Sequence, residues 1–249
     1  MKKLIIACLL LITACQSAAP TPTPSLFPTA TLPTLPTPTF VPATTTPQAT
    51  PTLELTSTPF PRLFTDEFDS SLTGWAILQA GNDGVPNVKT ENSSLILQMD
   101  APYTWLYALY GAQDYENLRI DTQFMNQAGS PSSIGLICRY SESDGWLEYN
   151  VSTDGTYNVL YGRWLSSGIA DYLPILSASS GAIGPSGTSQ EIGLICSDMT
   201  LSLLVNQNVI RRVDVSHYGL TQGKVGIAAS SFENAPVVAA FNWVRVSEP

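Results

Sequence analysis

The stretch from Ser132 to Trp164, SSIGLICRYSESDGWLEYNVSTDGTYNVLYGRW, holds three alternating apolar-polar runs cut by two Asp-Gly pairs. Ser132 to Tyr140, Trp146 to Ser152 and Thr156 to Trp164 each read as a strand. Asp144-Gly145 and Asp154-Gly155 are turn signals of the kind that join antiparallel neighbours. The stretch therefore predicts a three-strand meander. Side chains alternate across a strand, so Leu147, Tyr149 and Val151 face one way, and Trp146, Glu148 and Asn150 the other. If Cys138 faces the core, Arg139 lies outward beside that second set.

The same punctuation continues on both sides, at Asp83-Gly84 and Gln222-Gly223. Glu191 to Cys196, Thr200 to Val205, Val209 to Val213, Lys224 to Ala229 and Val237 to Val246 read as further strands. No amphipathic helix of useful length is present. Many short strands without helices predict an all-β fold, a two-sheet antiparallel sandwich or jelly roll. Residues 62–249 are long enough for one such domain.

Further stretches carry a family resemblance in their order and spacing. Phe64-Thr65-Asp66-Glu67-Phe68 followed by Gly74-Trp75 resembles the opening strand of concanavalin A-like jelly-roll domains. Leu201-Ser202-Leu203-Leu204-Val205-Asn206 with Val209 resembles their L-x-L-x-V-N-G hairpin. Gly223-Lys224-Val225-Gly226-Ile227 and Phe241-Asn242-Trp243-Val244-Arg245-Val246 resemble their closing strands. Two positions depart from the pattern: Gln207 replaces the usual turn glycine, and Asn242 a common aspartate. The resemblance implies two antiparallel sheets, the concave one often binding carbohydrate. Relatives include lectin-like modules, laminarinase-like glycosidases and keto-disaccharide hydrolases.

The N-terminus predicts an address. Lys2-Lys3, an apolar run from Leu4 to Ile12 and small residues before Cys15 make a secretory signal over residues 1–14. The apolar run is about ten residues, half of the roughly twenty needed to span a bilayer. Ile12-Thr13-Ala14-Cys15 resembles the bacterial lipoprotein signal, which implies lipidation of Cys15 and a membrane as partner. Two or more acyl chains make such an anchor stable. From Pro20 to Pro61 come twelve of the nineteen prolines and fourteen threonines, with one acid, Glu54, and no basic residue or glycine. That composition cannot bury a core, so residues 15–61 are expected to form a disordered stalk biased to polyproline II.

Discounting Cys8 in the signal and Cys15 at the anchor leaves Cys138 and Cys196. Both end the same local sequence, Ile-Gly-Leu-Ile-Cys. Outside the cytoplasm an even pair is expected to form a disulfide, the alternative being two buried thiols. Arg62 to Pro249 holds nine Lys+Arg and nineteen Asp+Glu, a formal charge of 9 − 19 = −10. An acidic surface without a basic run argues against nucleic acid as a partner.

Candidate chemistry is sparse. The single histidine, His217, leaves no partner set for a Ser-His-Asp triad and reads as a turn residue. Glu142-Ser143-Asp144-Gly145-Trp146-Leu147-Glu148 matches the Glu-x-Asp-x-x-x-Glu signature of laminarinase-like enzymes only superficially. Retaining glycosidases need two carboxyls about 5–5.5 Å apart in one cleft. Here Ser141 to Gly145 is a turn signal, leaving only Glu148 on a strand face, so no catalytic set is assigned. Asp66, Glu67 or Asp69 offers the oxygen ligands Ca²⁺ prefers. No loop has a calcium spacing, so no metal or cofactor is assigned. Arg139, Trp146, Glu148, Asn150 and Trp164 form the candidate ligand surface, since sugars pack C–H patches on aromatic rings and bond hydroxyls to amides, carboxylates and guanidinium groups. Tyr161 and Trp164 have opposite parity, so only one shares that face. Tyr103, Trp105 and Tyr107 read as core or sheet packing. The expected function is non-catalytic glycan binding at the cell surface. The alternatives are a glycoside hydrolase centred on Glu148 and a structural or protein-interaction domain.

Overall fold

The structure is a computed structural model and describes residues 60–249; the signal, Cys15 and the Pro/Thr stretch as far as residue 59 lie outside the described residues. In chain order the strands begin with β1 (Phe64–Asp66), β2 (Trp75–Gly81), β3 (Asn87–Thr90), β4 (Leu95–Met99) and β5 (Thr104–Tyr115). They continue with β6 (Leu118–Asn126), β7 (Ser132–Ser141), β8 (Gly145–Ser152), β9 (Thr156–Ser166) and β10 (Ile169–Ser179). The last are β11 (Gln190–Ser197), β12 (Thr200–Val205), β13 (Asn208–Asp214), β14 (Gly223–Ser231) and β15 (Val237–Ser247), with a 3₁₀ turn at Ser216–Tyr218.

The strands form two antiparallel sheets, as expected. One runs β13-β12-β11-β6-β15-β4-β3, with β1 also on β15; the other runs β10-β9-β8-β7-β14-β5-β2. The predicted meander is β7-β8-β9, in the register Leu136↔Tyr149 and Tyr149↔Val159. β10 is not among the strands expected from the sequence, and it carries Pro174. Its position explains the proline: β10 is an edge strand, bulged between Pro174 and Leu176, where a missing N–H costs no ladder bond.

Alternation divides the residues as the sequence predicts. Leu136, Leu147, Tyr149, Val151 and Val159 point between the sheets, onto Ile120, Phe124, Leu194, Leu203 and Phe241 of the opposite sheet. Cys138 on β7 joins Cys196 on β11 through a disulfide, so the expected bridge ties one sheet to the other. At the entrance to the domain, Asp66 accepts from the Phe68 N–H at 2.9 Å and from Trp75 Nε1 at 2.8 Å. Phe64 and Trp75 pack on Tyr110. Both carboxylate oxygens of Asp66 thus serve the opening turn. Among the described residues no three His, Cys, Asp or Glu side chains lie close enough to hold a metal ion.

One facing prediction is overturned. Arg139 is not beside Trp146 on the outward face but buried, at 1 % exposure. The register of β7 on β8 shifts between Cys138 and Ser141, and Arg139 adopts φ 56°, in the left-handed region. This bulge breaks the period of two and sends the guanidinium to the end of the sandwich. There it donates to the carbonyls of Leu220 (2.8 Å), Glu116 (3.4 Å) and Asp198. Burial draws its pKa down. Arg139 holds three loops together, and Tyr140 takes the outward place instead.

Candidate functional site: an aromatic-walled cleft

The seven-stranded sheet is curled. Five strand steps separate β5 from β10, a span of roughly 24 Å in a flat sheet at about 4.8 Å per step. Yet Trp105 of β5 stacks on Tyr172 of β10 with ring centroids 5.9 Å apart. The hydroxyls of Tyr107 and Tyr172 hydrogen-bond across the same gap. At the rim, the Gly81 N–H at the end of β2 donates to the Gly168 carbonyl at 3.1 Å, linking the two outer strands. The concave face is therefore almost closed on itself, and its side chains form a second core.

Trp146 is the centre of that core and is completely buried. Its ring lies 5.2 Å from Trp164, 5.6 Å from Tyr140, 5.7 Å from Tyr107 and 6.1 Å from Tyr172, centroid to centroid. The indole lies flat because its cross-strand partner is Gly162. A Cβ at Gly162 would sit 2.3 Å from the indole, closer than any real contact, so only glycine admits this ring. Trp146 Nε1 donates to Glu148 Oε2 at 2.9 Å. Asn150, also buried, bonds Asn158 at 3.3 Å and covers Gly135, where a Cβ would meet its Oδ1 at 2.2 Å. Predicted alternation thus groups Trp146, Glu148 and Asn150 correctly, but the curl buries all three.

Glu148 is a carboxylate in an apolar, aromatic interior, 2 % exposed. Burial pushes its pKa up, opposed by hydrogen bonds from Trp146 and Asn150. Burial and the Glu148 charge together push Tyr107 and Tyr172 well above the usual phenol range. A carboxyl whose folded pKa is raised contributes stability that is complete below its unfolded pKa and lost as pH rises through the folded value. Glu148→Gln removes that titration and keeps an oxygen to accept from Trp146. The variant is expected to gain stability relative to the parent as pH rises above the ordinary carboxyl range, about 4.3, until the raised folded value is passed. Urea midpoints across that range test this; a variant that loses ground as pH rises would show that the ionised carboxylate is the better-held form.

The open part of the concave face is a cleft of about 500 Å³ at the mouth of this core. Trp164 and Tyr140 form its aromatic wall, joined by the Trp164 Nε1 donation to the Tyr140 hydroxyl at 2.9 Å. Gln79 of β2, Glu142 on the β7–β8 turn, and Ser166 and Ser167 at the β9–β10 turn supply polar groups. From the cleft inward the order is Trp164 and Tyr140, then Trp146, then Glu148. Of the five candidate ligand residues only Trp164 reaches the cleft. It has the parity of Gly162 and packs on Trp146, whereas Tyr161 turns to the other face. Sequence reading missed Tyr140 because nothing local announced the bulge at Arg139. It missed Gln79, Ser166 and Ser167 because only the curl brings β2 to the β9–β10 turn. Glu142 stands on an exposed hairpin tip, as its turn signal predicts, and His217 lies in the exposed 3₁₀ turn.

No protein-family model matches the chain, and neither does any curated protein. Solved structures do match. A Bacillus licheniformis β-glucanase is similar at 12 % identity, over 75 % of this chain and 98 % of its own, with a TM-score of 0.52. A Bacillus subtilis protein of unknown function with a galectin-like fold is similar at 12 % identity, over 74 % and 94 %, with a TM-score of 0.53. A GH16 protein from the mixed-linkage-glucan locus of Bacteroides ovatus is similar at 11 % identity, over 74 % and 99 %, with a TM-score of 0.51. At such identities the likeness establishes the fold, a concanavalin A-like jelly-roll sandwich.

Proposed function

We propose that this chain is a lipid-anchored extracytoplasmic protein whose concave-face cleft binds glycans without cleaving them. The observation that carries the reading is the cleft itself. Its wall is two hydrogen-bonded aromatic rings edged by an amide, a carboxylate and hydroxyls, the mixture that recognises a sugar ring and its hydroxyls. The volume falls in the range of small-ligand sites, roughly 300–1,000 Å³. Fold neighbours include the β-glucanase, and the Bacteroides ovatus protein was solved with an oligosaccharide product bound. Fold alone does not assign activity. What speaks against cleavage is the placing of the carboxyls: Glu142 is on a solvent-exposed turn, while Glu148 is sealed behind the Trp146 indole and bonded to it. A hydrolytic pair must flank one scissile bond.

The full-length protein, purified in detergent, is expected to bind neutral β-glucans and release no reducing sugar from them. Trp164→Ala is expected to weaken that binding about tenfold through loss of one stacking wall, and Glu148→Gln to leave it unchanged. Reducing-sugar release that disappears in Glu148→Gln would instead establish the hydrolase reading, and absence of binding to any saccharide the interaction-domain reading. The anchor has its own test. Cys15→Ser is expected to move the protein from the membrane fraction to the medium, and retention in the membrane would refute lipidation at that residue.

A further inference from the structure

The curl of the concave sheet decides how a ligand can enter it. A face open at both sheet edges would let a polymer lie across the strands, but here the two edges meet. Leu78 and Ala80 of β2 share one packed cluster with Ala170 and Tyr172 of β10, around the buried Trp146. The Gly81 N–H, donating to the Gly168 carbonyl at 3.1 Å, closes the backbone gap between the same two strands. Ala80 is buried although it stands on an outer strand. A chain crossing the strands would have to pass through this seam.

The route along the strands is filled as well. Behind the wall of Trp164 and Tyr140 lies Trp146, which has no exposed surface. Beyond it the Trp105–Tyr172 stack and the Tyr107–Tyr172 hydroxyl pair bridge the width of the face. At the far end Ser133, Asn150, Ser152 and Ser230 share this face by register, and they too are buried. The cleft is therefore blind, with its mouth at the β7–β8 and β9–β10 turns. An interior sugar unit continues into chain on both sides, whereas a terminal unit continues on one side only. Only a terminus fits a site with one mouth. A terminal sugar also carries a hydroxyl that an interior unit has given up to its glycosidic bond, and Gln79 and Glu142 offer acceptors for it.

Resting on the glycan-binding reading above, we propose that the cleft is an end-on pocket, which captures the terminal unit or two of a saccharide chain and excludes chain interiors. The test uses full-length protein in detergent, titrated with linear β-glucan oligosaccharides of two to eight units and with a cyclic β-glucan, which has no ends. Affinity is expected to stay constant along the linear series, and the cyclic glucan to bind weakly or not at all. Partial acid cleavage of a linear β-glucan should raise the protein bound per unit mass in step with the new chain ends. Trp164→Ala should weaken every linear length by the same factor, about tenfold. Affinity that climbs with length to eight units, a cyclic glucan bound as tightly as the linear chains, or capacity unchanged by cleavage overturns the end-on pocket while the glycan-binding cleft stands. Failure of the parent to bind any saccharide overturns both.

Discussion

Trp146→Ala is expected to lower the unfolding free energy by about 3–5 kcal/mol, the range for emptying a buried tryptophan site. Trp146 is completely enclosed by Tyr107, Tyr140, Trp164 and Tyr172, so its removal leaves a void between rings that cannot close without uncurling the sheet. It also takes the Nε1 donor from Glu148, which stays buried. Glu148 keeps Asn150 as a donor, so the lost bond adds a smaller cost, about 1 kcal/mol. Gly162 provides the control. Gly162→Ala by itself should also be severely destabilising, because its Cβ would lie 2.3 Å from the indole. In the Trp146→Ala background the same methyl meets no indole and should cost little. Denaturation of the two single variants and the double variant forms a cycle whose coupling should be large, as expected for groups in direct contact. Additive losses would mean that the indole does not fill the concave face as described.

Removing the disulfide should have an effect of similar size. Cys138 and Cys196 are 58 residues apart in sequence and join the two sheets. Loop-closure entropy for that separation amounts to about 4 kcal/mol in the unfolded state, before any strain in the folded one. The bridge also adjoins the Arg139 bulge, whose guanidinium gathers the carbonyls of Glu116, Asp198 and Leu220 at one end of the sandwich. Cys138→Ala with Cys196→Ala is therefore expected to cost about 2–5 kcal/mol. Adding a reductant should bring the parent's denaturation midpoint close to that of the double variant and leave the variant itself unmoved. A loss below about 1 kcal/mol would place the bridge outside the stabilising framework.

The candidate site was less accessible to sequence reading than the fold, and Arg139 and Trp164 show why. Trp164 follows an unbroken period of two along β9, so its face could be counted from its neighbours, and it does line the cleft. Arg139 sits one residue beyond Cys138, where the ladder slips, and every count across the slip is inverted. A β-bulge depends on how two strands meet, so no residue within β7 declares it. Glu148 illustrates a third case. Its face was countable, but its burial was not, because the residues that cover it come from β5 and β10, distant in sequence.

By itself, the sequence determined the alternating strands, the meander and its two Asp-Gly turns, the division of β8 into core-facing and concave-facing sets, and the cysteine pair left to bridge. Each of these depends on interactions between residues close in the chain or on composition, and a period of two is local information. The tertiary structure alone decided that the concave sheet curls until Trp105 meets Tyr172, that Arg139 turns inward, and that Glu148 lies sealed beneath Trp146 while Trp164 and Tyr140 remain open. Curl is the accumulated twist of seven strands, halted where large rings from distant segments fill the space between them, and volume of that kind is a property of the assembled sheet.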